Sequence, residues 1–195
     1  MINAIVLAAG ESSRMGRPKP LLRFGDATFL EHILCVLRSS VIERITVVLG
    51  SGAEAVRRST DLSGVHAVVN GDYARGQLSS LIAGIETVPP ETEGVLVCLV
   101  DHPFITVAIV NQVVARFRER SSPIVIPVFH GKRGHPALFS RSMFGAIADA
   151  PADQGARYVV HANEDRLTQI ETDDEGVVIS IDTPADYRSY LGAEP

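Results

Sequence analysis

Tryptophan is absent from the 195 residues, and aromatic side chains make up only 6% of them. Nor does any apolar run approach the roughly 20 residues of a membrane-spanning helix, so no membrane partner is expected. Cysteine occurs twice, at Cys35 and Cys98, inside the apolar runs HILCVL and VLVCLV. Both read as small core residues, and two such residues support neither a disulfide framework nor a cysteine metal site. The six histidines show no paired ligand spacing with cysteine, which argues against zinc. Lysine is nearly missing: Lys19 and Lys132 stand against sixteen arginines. The net charge of −5 argues against a nucleic-acid coat protein, because such binding needs a basic face that displaces counterions from many phosphates. An apolar strand starts at residue 2, leaving no room for a basic region and signal sequence ahead of it, so a cytoplasmic location is expected.

The composition is that of a globular protein, and its length suits one core, so a single domain over residues 1–195 is expected. Val/Ile-rich runs at 2–7, 44–49, 65–69, 95–100 and 123–128 read as strands, with a weaker pair at 167–171 and 177–181. Their near-continuous apolar character suits a sheet covered on both faces. Helices are predicted at 29–39, 77–86, 106–119, 140–148 and 184–191, with Thr106 and Thr183 as N-caps and Pro184 in a first turn. Strand and helix in alternation imply βαβ units, hence an α/β fold with a mostly parallel central sheet.

In such a sheet ligands gather outside the carboxyl ends of the strands. The segment after the first strand, LAAGESSRMGRPKPLL, stands there. Gly10 and Gly16 let backbone amides approach a ligand, Ser12 and Ser13 add hydroxyls, and Arg14, Arg17, Lys19 and Arg23 concentrate positive charge. It matches neither a Walker loop, since Pro20 follows Lys19, nor GxGxxG, since position 8 is alanine. Taken by itself it is a solvated basic loop or a phosphate cradle. Two acids weigh on that choice, because Asp101 and Asp182 close apolar strands in DHP and DTP. Carboxylates in the same layer as a cationic loop could hold Mg²⁺ against phosphate oxygens; either could instead cap the helix that follows. Gln77, Ser79 and Ser80, in the helix after Gly76, could meet a base, ribose or phosphate, or the serines could simply cap that helix. HGKRGHPALF reads as a turn feeding a short strand that presents His135, and ADQGAR as a turn entering a helix with Arg157. His102 reads as structural.

LAAGESSRMGRPKPLL resembles the signature LAAGxSxRMGxPKxLL of the molybdenum cofactor cytidylyltransferase-like family, within the MobA-like NTP transferases. GQLSSLIAG, DHP, GHPALF, DQGAR and IDTPADY extend the resemblance in order along nearly the whole chain, with departures at His102 and Ala152. The resemblance implies a three-layer α/β/α Rossmann-like nucleotidyltransferase fold and a Mg²⁺-dependent transfer of CMP from CTP to molybdopterin cofactor, releasing pyrophosphate. It further implies that the backbone of Leu7, Ala8, Ala9 and Gly10 holds the nucleotide, with Ser12 beside it and Arg14 and Lys19 on the phosphates. Gln77, Ser79 and Ser80 would lie near base or ribose, Asp101 and Asp182 would bind Mg²⁺, and His135 and Arg157 would face the acceptor. Arg14, Lys19 and Asp101 are the implied catalytic residues. A molybdoenzyme or its chaperone is the implied recipient of the product. By analogy, alanine at position 9 favours cytidine over guanine. A GTP donor, another phosphorylated acceptor, or a non-catalytic nucleotide or cofactor carrier are the competing readings.

Overall fold

A computed structural model describes residues 1–120 and 122–195. The chain runs through β1 (Ile2–Ala8), the short β2 (Arg23–Phe24) and β3 (Ala27–Thr28), α1 (Phe29–Arg38), β4 (Arg44–Leu49), α2 (Ala53–Ser59), β5 (His66–Val69), α3 (Gln77–Ile85) and β6 (Gly94–Leu99). It continues through α4 (Val107–Arg120), β7 (Ile124–Phe129), β8 (Lys132–Arg133), β9 (Ala137–Ser140), α5 (Phe144–Ala148), α6 (Ala156–His161), β10 (Leu167–Glu171) and α7 (Pro184–Leu191). The main sheet has the order β10-β7-β9-β6-β1-β4-β5, with β8 paired to β7 and with β2 and β3 forming a separate hairpin.

β1 lies between β4 and β6 and is parallel to both. Strand β9 alone in the middle of the sheet runs antiparallel, inserted between β6 and β7. Along β1 the pleat sends Ile2, Ala4, Val6 and Ala8 into one apolar cluster and Ile5 and Leu7 into the other. The first cluster is covered by α1, α2, α4 and α7, the second by α3, α5 and α6. This is the sheet covered on both faces that the apolar strands predict, in the three-layer α/β/α arrangement that the resemblance implies.

Local chemistry sets the helix boundaries. Thr28 and Glu31 form a capping box on α1: the Thr28 hydroxyl accepts from the Glu31 amide at 3.2 Å, and the Glu31 carboxylate accepts from the Thr28 amide at 2.7 Å. The helix then buries Phe29, Leu30, Ile33, Leu34 and Leu37 completely, each worth about 1.5–3 kcal/mol relative to exposure. Cys98 is buried as expected, but Cys35 is exposed. Helical phase puts Cys35 one turn from exposed Arg38 even though buried residues flank it in sequence.

Two predicted elements differ. Residues 177–181 are not a strand: a 3₁₀ turn spans Glu175–Val178, and an unpaired extended stretch follows. The alternation that suggests a strand is real, since Val177, Ile179 and Ile181 are buried. Their backbone bonds go to loops instead. The Val177 carbonyl accepts from the His135 amide at 2.8 Å, and the Ile181 amide donates to the Asp101 carbonyl at 2.8 Å. The helix predicted over 140–148 begins later, because Ser140 ends β9 and a 3₁₀ turn, Arg141–Met143, precedes α5. No helix among the described residues is long and apolar enough to cross a membrane.

Candidate active site

The sheet order changes direction beside β1, which opens a crevice at the carboxyl ends of β1 and β6. The loop that leaves β1 is held in shape rather than loose. Its Met15 is buried, and the Ser12 carbonyl accepts from the Met15 and Gly16 amides at 2.9 and 3.0 Å. Ser12 adopts φ 54°, in the left-handed region, and its Oγ accepts from the Lys19 amide at 2.9 Å. Pro18 caps the 3₁₀ turn Lys19–Leu21 and Pro20 lies within it, so the backbone from which this lysine projects is stiff.

Lys19 reaches across the crevice. Its Nζ lies 2.8 Å from Asp101 Oδ2 and 2.7 Å from Asp182 Oδ1, with the lysine side chain only 12% exposed. Arg14 Nη2 donates to the same Asp182 oxygen at 3.0 Å, and Ser180 Oγ donates to its Oδ2 at 3.1 Å. Partial burial pushes the Asp182 carboxyl up, but the hydrogen bond and charge of Lys19, the Ser180 hydroxyl and the charge of Arg14 together hold it below the ordinary value. The helix-capping alternatives for both acids fall away. Thr106 Oγ accepts from the Ile109 amide at 3.3 Å at the start of α4. On α7, Thr183 and Asp186 form a capping box of their own, and Asp186 Oδ2 accepts from the Asp182 amide at 3.1 Å. Both carboxylates are thereby left to the crevice.

A cleft of about 250 Å³ surrounds this cluster. It is lined by Leu7–Gly10, Ser12, Arg14 and Lys19 from the segment that leaves β1, by Asp101 and Asp182, and by Gln77 and Ser80 from the start of α3. Ser79 does not face it: its hydroxyl donates to the Asp72 and Gly76 carbonyls and receives Asn70 Nδ2 at 2.9 Å, tying the preceding loop to the helix. Asn70 also donates to the buried Ser80 at 3.0 Å. Tyr73 lines the cleft as well, unforeseen because an aromatic residue in a glycine-containing loop has no pattern that marks it.

A second cavity of about 360 Å³ adjoins the first and shares Leu7, Gln77 and Leu99 with it. It contains His135 and Arg157, the two residues expected on the acceptor side. Its walls are mainly apolar, from Leu78, Leu81, Val97, Ile126 and Phe139, and its rim carries Arg133, Arg157 and His161. Arg133 is engaged: its guanidinium binds Glu164 with both terminal nitrogens, and this bond is the main reason the Glu164 carboxyl sits at about 2. Arg157 is exposed and makes no ion pair among the described residues. Arg133 was missed in the sequence although it stands two residues before His135; a second cation in HGKRGHP was the available signal.

His135, in the lining of the second cavity, packs against His102, with ring centroids 4.9 Å apart. The Nδ1 atoms of both are enclosed and have no hydrogen-bond partner among the described residues. Enclosure pushes His135 down to about 4, with the neighbouring His102 adding to the effect, so His135 is neutral near pH 7. Enclosure also lowers His102. Neither ring therefore supplies positive charge, which falls to Lys19 and Arg14 in the first cleft and to Arg157 at the second cavity.

The family model for the MobA-like NTP transferase domain matches residues 4–168. The chain is 30% identical over 188 residues to a molybdenum cofactor cytidylyltransferase of Escherichia coli K12, covering 95% of this chain and 93% of that protein. It is 29% identical over 194 residues to a protein of Paenarthrobacter nicotinovorans named nicotine blue oxidoreductase, covering 93% and 92%. Among solved structures, Rv0371c of Mycobacterium tuberculosis H37Rv superposes with a TM-score of 0.89 at 33% identity over 98% of both chains. A structure of that same protein in complex with manganese superposes with a TM-score of 0.84 at 30% identity over 98% of both chains. By sequence and by fold, this chain is a nucleotidyltransferase that belongs to the MobA-like NTP transferase family.

Proposed function

We propose that the protein transfers CMP from CTP to a terminal phosphate of a molybdopterin-type cofactor and releases pyrophosphate. One observation carries the reading: Lys19, Asp101 and Asp182 converge in a cleft that opens directly into a second cavity bearing Arg157. The nucleotide lies against the Leu7–Gly10 backbone with its phosphates toward Lys19 and Arg14. The acceptor occupies the second cavity, its ring system against the apolar walls and its phosphate turned toward the cleft.

A phosphate oxygen of the acceptor attacks the α-phosphorus, a new P–O bond forms, and the bond between the α-phosphorus and its bridging oxygen breaks as pyrophosphate leaves. No general base is needed, since the attacking phosphate is already ionised. The protein contributes alignment and neutralisation of growing charge on the phosphates by Lys19 and Arg14. Asp101 and Asp182 are the residues that would hold a divalent cation: they offer hard carboxylate oxygens, and those oxygens already converge on one positive charge. Bound there, Mg²⁺ would supply charge neutralisation on the triphosphate. Manganese in the related mycobacterial structure supports a divalent ion in this family.

The oxidoreductase name of the Paenarthrobacter relative is not carried over, because paired carboxylates and cations aimed at one cleft serve phosphate transfer rather than hydride transfer. Incubating the protein with CTP, Mg²⁺ and molybdopterin cofactor and measuring pyrophosphate tests the proposal. Release that depends on the cofactor is the expected result. Bound nucleotide without turnover would favour a carrier, and stabilisation against heat by GTP but not CTP would replace the donor.

A further inference from the structure

We infer that Lys19 is a stand-in cation: in the nucleotide-free protein its ammonium occupies the place of the divalent ion, and nucleotide binding releases that place by drawing the ammonium onto phosphate. The inference rests on the assignment of Asp101 and Asp182 as metal ligands and adds a coupling between metal and nucleotide.

The geometry leaves little choice. Asp101 Oδ2 and Asp182 Oδ1 lie 2.8 and 2.7 Å from one nitrogen. A divalent cation held between the two carboxylates at about 2.0–2.6 Å would need the space between them that the ammonium fills, so ammonium and metal compete for one place. Expelling Lys19 without nucleotide would break two charge-assisted hydrogen bonds and turn the ammonium toward a loop whose other charged side chain at the cleft, Arg14, is also a cation. A triphosphate changes that balance, because its oxygens accept the ammonium while the metal takes the carboxylates.

The movement required is small. The Lys19 amide is bonded to Ser12, and the prolines at 18 and 20 restrain the backbone, so only the four-carbon stem need swing. The backbone that carries the carboxylates is meanwhile held, the Asp182 amide by Asp186 and the Asp101 carbonyl by the Ile181 amide, and Asp182 Oδ2 keeps the Ser180 hydroxyl. Metal and nucleotide therefore bind with positive cooperativity through one side chain, and a coupling works equally in both directions.

Mn²⁺ is the probe, followed by loss of its free EPR signal, with the Mn²⁺ that CTP chelates in the absence of protein subtracted wherever CTP is present. Lys19→Met should bind Mn²⁺ in the absence of nucleotide roughly tenfold more tightly than the unaltered protein. In the unaltered protein, CTP should tighten Mn²⁺ binding by a similar factor. If Lys19→Met gains nothing while CTP-dependent Mn²⁺ binding by the unaltered protein persists, the stand-in role is overturned and the metal assignment survives. If neither protein binds Mn²⁺ even with CTP, the metal assignment fails and the stand-in role falls with it. A second measurement needs no variant. The chain has two lysines, so protein labelled with ¹³C at lysine Cε gives two signals, and exposed Lys132 serves as the reference. Saturating CTP without metal should move the Lys19 signal and leave the other; an unmoved Lys19 signal at saturation overturns the inference.

Discussion

The Lys19 ammonium lies 2.7 Å from Asp182 Oδ1, although the two residues stand 163 positions apart in the chain. The contact joins the loop after β1 to the segment before α7 and makes the crevice one charged unit.

Removing either carboxylate should therefore disable transfer. Asp101→Ala and Asp182→Ala are each expected to lower the rate of pyrophosphate release by on the order of 10²-fold or more. Full activity of Asp101→Ala with CTP and Mg²⁺ would falsify the metal assignment.

The histidine pair makes stability depend on pH. His135 titrates at about 4 in the folded protein and near 6.5 when unfolded, so the unfolded chain takes up the proton first as pH falls. Stability is thus full above about pH 6.5 and declines toward pH 4, by on the order of 3 kcal/mol from this residue. His102, lowered in the same direction, adds to the slope. Urea unfolding between pH 7 and pH 4 checks this: His135→Gln should flatten the profile, and an unchanged profile would remove the enclosed neutral ring from the account.

Gly134 packs where no side chain fits. A β-carbon there would lie 2.3 Å from the Val177 carbonyl oxygen. Gly134→Ala should force the segment before β9 away from residue 177 and cost about 1–3 kcal/mol. The midpoint of urea unfolding reads the loss, and a midpoint equal to that of the unaltered protein would contradict the packing described.

The two thiols should behave differently. Cys98 is buried and its thiol is pushed up to about 12 by burial, whereas Cys35 is exposed. A thiol reagent should modify one cysteine in the native protein and two in denaturant. Rapid modification of both in the native state would count against the burial of β6.

The parts of the site that depend on local chemistry were legible in the sequence. The β1 loop announces itself through glycines, hydroxyls and cations, and the two acids through their places after apolar runs. That the acids share one ammonium was not legible, because it depends on side-chain reach between segments 82 and 163 positions from Lys19. Residues 177–181 misled for a related reason: alternating burial marks any extended chain laid over a core, and only long-range hydrogen bonds decide whether it joins a sheet. Ser79 and Ser80 are adjacent and chemically identical, yet helical phase turns one toward the loop and the other toward the cleft.

The reversal of β9 allows the two cavities to change separately. An antiparallel strand begins at the edge where its parallel neighbours end, and Ala137 at the start of β9 pairs with Val97 near the end of β6. The chain therefore enters the crevice from its own approach, through Gly134 and His135, and not from the loops that leave β1 and β6. Substitutions in this approach can reshape the second cavity while the cleft around Lys19 keeps its backbone, its lysine and its acids. On the proposed division of roles, one scaffold can in this way keep a fixed nucleotide-handling half and take up different acceptors.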